Sequence, residues 1–196
     1  AEYNIPHIST GDLLRDEINS GSQLGESLKQ EMDQGKLISN EIIVNLLRNR
    51  ISKVDCNNGY ILDGYPRNVE QAKIYKDMLK ELNKDIGVVI YMEIDKNLAL
   101  ERTLSRMICS SCGTSYNTNV AELRPRIDGI CDKCGHTLKV RSDDNKNTFL
   151  NRFDTYLTET NPLINYYEEL GILRKIEIHE KDSAQDIFNE IKNILN

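Results

Sequence analysis

Four of the five cysteines fall in two C-x2-C pairs, Cys109/Cys112 and Cys131/Cys134, separated by residues 113–130. Pairs at this separation suit a metal site better than a disulfide framework. Each pair is followed by glycine (CSSCG, CDKCG), which permits a tight turn that aims backbone N–H groups at the sulfurs. Four thiolates complete a tetrahedron, so the site reads as structural zinc; iron is the other metal reading, and unrelated core cysteines the plain one. The stretch from Cys109 to Arg141 has too little apolar material for its own core. Metal binding contributes on the order of 10 kcal/mol to folding such a piece. Cys56 stands apart and reads as a packing residue. His7, His136 and His179 are scattered, and His136 is a spare ligand that four thiolates make unnecessary.

The second chemical signal is LDGYPR at 62–67. A strand ending in Asp63 places a carboxylate at the carboxyl edge of a sheet, where open α/β folds bind ligands. Two readings stand for Asp63, a carboxylate that organises magnesium and its waters and an ordinary capping aspartate. Gly64 allows close backbone approach, and Arg67 follows on a proline-fixed turn. Arg102 and Arg106 are four apart on one expected helix, so they share a face. Arg141 and Arg152 flank the return from the cysteine segment. Closing that segment as a flap would bring guanidinium forks onto a polyphosphate, the arrangement phosphoryl transfer needs. Asp143 and Asp144 read either as helix caps or as contacts to a nucleotide or its metal.

The elements that must hold these residues alternate. HIS (7–9) reads as a strand end, followed by a helix from Asp12 that breaks near SGS (20–22). A second helix covers LGESLKQEMDQG and ends at Gly35. Ser39 caps a third, with Ile43, Leu46, Leu47 and Ile51 on one face. GYILDG and IGVVIYMEI read as buried strands, VEQAKIYKDMLKEL and KNLALERTLSRM as the helices after them. The final pieces are a helix over DDNKNTFLNRFDTYLTETNPLINYYEELG interrupted at Pro162, the strand LRKIEI and the helix AQDIFNEIKNIL. This alternation predicts a parallel sheet with helices on both faces.

The 196 residues fit one domain with an insertion. No apolar run approaches the ~20 residues of a membrane span, and no basic, apolar leader is visible, so a cytoplasmic protein is expected. A formal net charge of −6 argues against a nonspecific nucleic-acid binder.

Taken together, ISTGDLLR, GKLIS, GYILDGYPRNVEQA, Arg102/Arg106, CSSCG…CDKCG, RSDDN and Arg152 resemble the adenylate kinase family, of the type with a zinc-bearing lid, across nearly the whole chain. The resemblance implies a P-loop NTPase-like α/β core (1–8, 39–104, 145–196), a helical AMP-binding arm (9–38) and a lid (105–144). It implies the reaction ATP + AMP ⇌ 2 ADP with magnesium, in a monomer that engages neither nucleic acid nor membrane. By position, AMP would be held by Thr10, Arg15, Lys36, Leu37, Ile38, Gly64, Tyr65, Pro66, Arg67 and Gln71, the last reading the adenine edge. ATP would meet Arg102, Arg106, Ser115, Tyr116 and Asp182. Arg67, Arg106, Arg141, Arg152 and Asp63 would carry the transfer, Arg141 and Arg152 clamping phosphates on the AMP side as well. Asp12 and Asp63 would organise magnesium waters, and the four cysteines would hold zinc.

The family's G-x-x-x-x-G-K-[ST] motif does not occur in these residues. The expectation is therefore a chain lacking the first strand and P-loop of the fold, with little activity by itself. The competing expectations are another nucleoside monophosphate kinase, a nucleotide-binding relative without catalysis, and a zinc ribbon that binds nucleotide or nucleic acid.

Overall fold

A computed structural model describes residues 3–33 and 38–195, and the chain packs as two compact units. The first comprises residues 1–87 and 152–172, the second residues 88–151 and 173–196. This division by packing differs in its bounds from the core, arm and lid division expected from the resemblance.

In the first unit, strand β1 (His7–Ser9) runs directly into helix α1 (Thr10–Asn19). Ser9 makes the switch: its hydroxyl accepts the Asp12 N–H at 3.3 Å, and Asp12 sits in the first turn where negative charge is favoured. α1 ends at Ser20, as the SGS break predicts, and α2 (Gln23–Asp33) packs back on it. Gly25 makes that approach possible, because a Cβ there would stand 2.5 Å from the Glu17 carbonyl oxygen. The end of the second helix at Gly35 lies outside the described residues. α3 (Asn40–Ile51) follows Ser39, whose side chain makes no capping bond although its position is the N-cap. β2 (Ile61–Asp63) lies parallel to β1 with His7 opposite Ile61 and Ser9 opposite Asp63. α4 (Val69–Glu81) is capped by the Asn68 side chain. The core unites Ile8, Leu14, Ile43, Leu47, Ile51 and Met78 from β1, α1, α3 and α4. Cys56 is fully buried there, a packing residue as expected, with its sulfur 3.1 Å from an Arg50 guanidinium nitrogen.

In the second unit, β3 (Val89–Ile94) leads to α5 (Lys96–Leu104), whose first N–H groups are taken by Asp95. β4 (Arg106–Cys109), β5 (Ser115–Asn117) and β6 (Leu138–Lys139) form an antiparallel sheet in the order β5-β4-β6. α6 (Lys146–Thr155) begins in this unit; its continuation in the first unit is a π-helical turn (Tyr156–Thr160) and α7 (Pro162–Glu169). The helix is interrupted just before Pro162, as expected, and Pro162 opens the next one at a position where its missing N–H costs nothing. β7 (Leu173–Ile178) runs parallel to β3, and α8 (Ala184–Leu195) closes the chain.

Three expectations are corrected. The helix expected over 96–107 stops at Leu104, so Arg102 and Arg106 do not share a helix face. The chain is captured there by antiparallel pairing: Ser105 donates its hydroxyl to Asn117 Oδ1 at 2.9 Å, its carbonyl accepts the Thr118 N–H, and Arg106 pairs with Asn117. The single parallel sheet is, among the described residues, one two-stranded parallel pair in each unit. Neither β2 nor β3 is the buried strand expected, since Ile61 and Met92 are each about half exposed (51% and 53%). A sheet two strands wide has too little width to cover both faces.

Candidate active site

In the first unit several of the expected site residues gather at the carboxyl end of β2. Thr10, buried at the start of α1, donates its hydroxyl to the Gly64 carbonyl at 3.0 Å. Gly64 has φ +74°, and a Cβ there would stand 3.1 Å from the Thr10 hydroxyl, so this turn requires glycine twice over. Tyr65 is buried in the core, and its phenol is pushed up to about 12 by burial. The peptide bond to Pro66 is cis. Arg67 is fixed by three bonds: its Nε donates to the Gly64 carbonyl (2.8 Å), its N–H donates to Gln71 Oε1 (2.7 Å), and its carbonyl accepts from Thr160 (2.7 Å).

The Arg67 guanidinium pKa lies below its ordinary value, through burial first and the Arg152 charge next; Asp63 opposes this and Arg15 adds to it. Two further guanidiniums thus stand near enough to disfavour the Arg67 charge, a concentration of positive charge that an anion would relieve. Asp12 and Arg15 pair with each other across one helical turn. Asp63 stands 3.4 Å from His7 Nε2. Gln71 is fully buried, its Nε2 donating to Asn40 Oδ1 at 2.9 Å while Asn40 donates to Glu70 at 2.8 Å. Ile38 lies buried in the core; Lys36 and Leu37 lie outside the described residues.

The second unit holds the others. Arg102 donates to the His179 carbonyl at 3.2 Å, and the Asp182 carboxylate accepts the His179 N–H at 2.7 Å, so Arg102 and Asp182 meet at one turn. Arg106 grips Asp144 through both carboxylate oxygens. Neither Asp143 nor Asp144 supplies the cap of α6; the Asn145 side chain accepts the Thr148 N–H at 2.9 Å. Arg141 is half-buried beside this turn, its carbonyl accepting the Asp144 N–H.

The four cysteine sulfurs lie within 4.8 Å of one another, with Cys109–Cys134 at 3.4 Å and Cys112–Cys131 at 3.6 Å. Sulfurs around a tetrahedral zinc, bound at about 2.3 Å, stand about 3.8 Å apart, so the donor set fits. His136 stays outside the cluster, its ring against the Cys134 carbonyl. Ser115 is exposed on β5, whereas Tyr116 is buried with its hydroxyl against Cys131 and is paired with Met107 across the ladder.

A family model described as "Adenylate kinase" matches residues 1–172. The chain belongs to the adenylate kinase family. Relatives include adenylate kinases of Geobacillus sp. (strain WCH70), 41% identical over 98% of this chain and 88% of the relative, and of Clostridioides difficile (strain 630), 43% identical over 97% and 86%. That of Thermosipho africanus (strain TCF52B) is 40% identical over 98% and 87%. As a member of this family the chain is a phosphotransferase. The adenylate kinase motifs flag Asp63, Gly64, Arg67 and Gln71 but not all of their distant partners. Asn40, Thr160 and His7 carry no spacing signal, because their bonds span distant parts of the sequence, 93 residues in the case of Thr160.

Proposed function

We propose that the chain transfers a phosphoryl group reversibly between ATP and AMP. The observation that carries this reading is Arg67, immobilised by Gly64, Gln71 and Thr160 and held next to Arg15 and Arg152. Such an array binds phosphate oxygens bidentately and stabilises charge on a transferring phosphoryl group. Thr10, Arg15, Ile38 and the 64–67 turn, with Lys36 and Leu37, are the acceptor-side residues, and Gln71 is the candidate reader of the adenine edge. Arg102, Arg106, Ser115, Tyr116 and Asp182 are the donor-side residues, with Arg141 and Arg152 as phosphate clamps. Asp63 and Asp12 are the candidate holders of magnesium-bound water, the ion supplying charge neutralisation of the nucleotide phosphates. Cys109, Cys112, Cys131 and Cys134 form the structural zinc site of the lid.

A coupled assay for ADP formation tests the reading, with AMP, CMP, UMP and GMP as acceptors. It is run on these 196 residues and on the full reading frame that encodes them. AMP preferred by more than about tenfold, roughly 1.4 kcal/mol, supports the assignment. Preference for a pyrimidine acceptor sinks it.

A further inference from the structure

An aromatic hydroxyl reaches the cysteine cluster from β5. Tyr116 is 7% exposed, its oxygen accepts the Asp132 backbone N–H at 2.8 Å, and the same oxygen lies 3.4 Å from Cys131 Sγ. A metal-bound Cys131 carries no proton, so in that state the proton between the two atoms is the phenol's and is donated to the sulfur. The other contacts to the cluster are local. Cys109 Sγ receives the N–H groups of Ser111 and Cys112 at 3.5 Å, and the Thr114 hydroxyl lies 3.1 Å from Cys112 Sγ, two residues away. Tyr116 instead joins the second cysteine pair to the strand that follows the first.

We propose that Tyr116 is a positioning residue for the metal, its O–H···S bond fixing Cys131 Sγ and slowing loss of the ion. Four thiolates bring more negative charge than a divalent ion cancels, so a donor on one sulfur withdraws part of the excess and orients the ligand. The inference rests on the four-thiolate metal reading above. It gives the Tyr116 side chain a task inside the lid, apart from any nucleotide contact.

The test uses the full chain loaded with cobalt(II) or zinc. In Tyr116→Phe, the sulfur-to-cobalt charge-transfer band moves to longer wavelength, because the sulfur electrons lose their stabilising proton. Zinc passes to a chromophoric chelator about tenfold faster, the lower end expected for loss of an outer partner. Incorporating 3-fluorotyrosine, a stronger donor of nearly the same size, moves the band the opposite way. Bands and release rates equal to the parent chain's in both variants overturn the role of Tyr116 alone. A parent chain that shows no thiolate-to-cobalt band overturns the metal reading together with the inference.

Discussion

Arg106 and Asp144 are locked by two parallel hydrogen bonds, one of them Nε to Oδ2 at 2.8 Å, and the Asp144 side chain is entirely buried. Arg106 opens the first strand of the cysteine module and Asp144 lies just before α6, so the pair ties together the two places where the chain joins that module. A carboxylate buried to this degree is tolerated because the guanidinium fork satisfies both of its oxygens.

Truncating this pair leaves one charge without its partner. Asp144→Ala is expected to destabilise the chain by about 3 kcal/mol in urea denaturation. The double variant Asp144→Ala/Arg106→Met loses less than the sum of the single changes, which a double-mutant cycle reads directly. Additive losses would contradict the coupling.

Removing the metal ligands has a more local effect. Cys131→Ser, or treatment with a strong chelator, is expected to abolish binding of one zinc per chain. Protease sites within 105–144 then open while the core around Leu47 and Met78 stays protected. Metal content by mass spectrometry and limited proteolysis check this; a lid equally resistant without metal would refute it.

Gln71 joins α4 to the 64–67 turn. Gln71→Leu removes the acceptor of the Arg67 N–H and the donor to Asn40. Its cost is about 1–3 kcal/mol of stability for the buried groups left unpaired. AMP affinity, measured by calorimetry, should fall more than ATP affinity. An equal loss for both nucleotides would mean that the change acts through folding alone.

The first unit is expected to weaken in alkali. Burial pushes Tyr65 up to about 12 and raises Tyr75 and Tyr167 as well. For a phenol, a raised folded-state pKa means the fold favours the protonated form. Its contribution is complete below the ordinary value near 10 and is lost as pH climbs through 12. Tyr65 alone accounts for about 3 kcal/mol at the top of that window. Titration by absorbance at 295 nm alongside circular dichroism should show ionisation and unfolding together. Free ionisation of Tyr65 near pH 10 would contradict it.

The sequence was informative wherever chemistry is local. The two C-x2-C pairs named the four sulfurs that the fold brings together, and LDGYPR placed Arg67 on its turn. β7 and α8 run over LRKIEI and AQDIFNEIKNIL as read. What the sequence hid was decided by partners far along the chain. Nothing in KNLALERTLSRM says that Asn117 will seize Ser105 and stop the helix before Arg106. A buried glutamine looks like any helical glutamine until Asn40 and Arg67 are beside it. The exposure of Ile61 and Met92 was equally invisible, because alternation and β-branching report strand formation and not how many neighbours a strand finds.

Among the described residues the apolar interior of the cysteine module is Cys109, Tyr116, Cys131 and Leu138, with Met107 against them. Two of those four are themselves proposed ligands. An interior so small means that the stability of the module, on the zinc reading, follows RT ln(1 + [M]/Kd) for the ion and depends little on hydrophobic burial. The supply of free zinc in the surrounding medium then becomes an input to the enzyme. A starved cell would retain an intact core around Leu47 while its lids came undone.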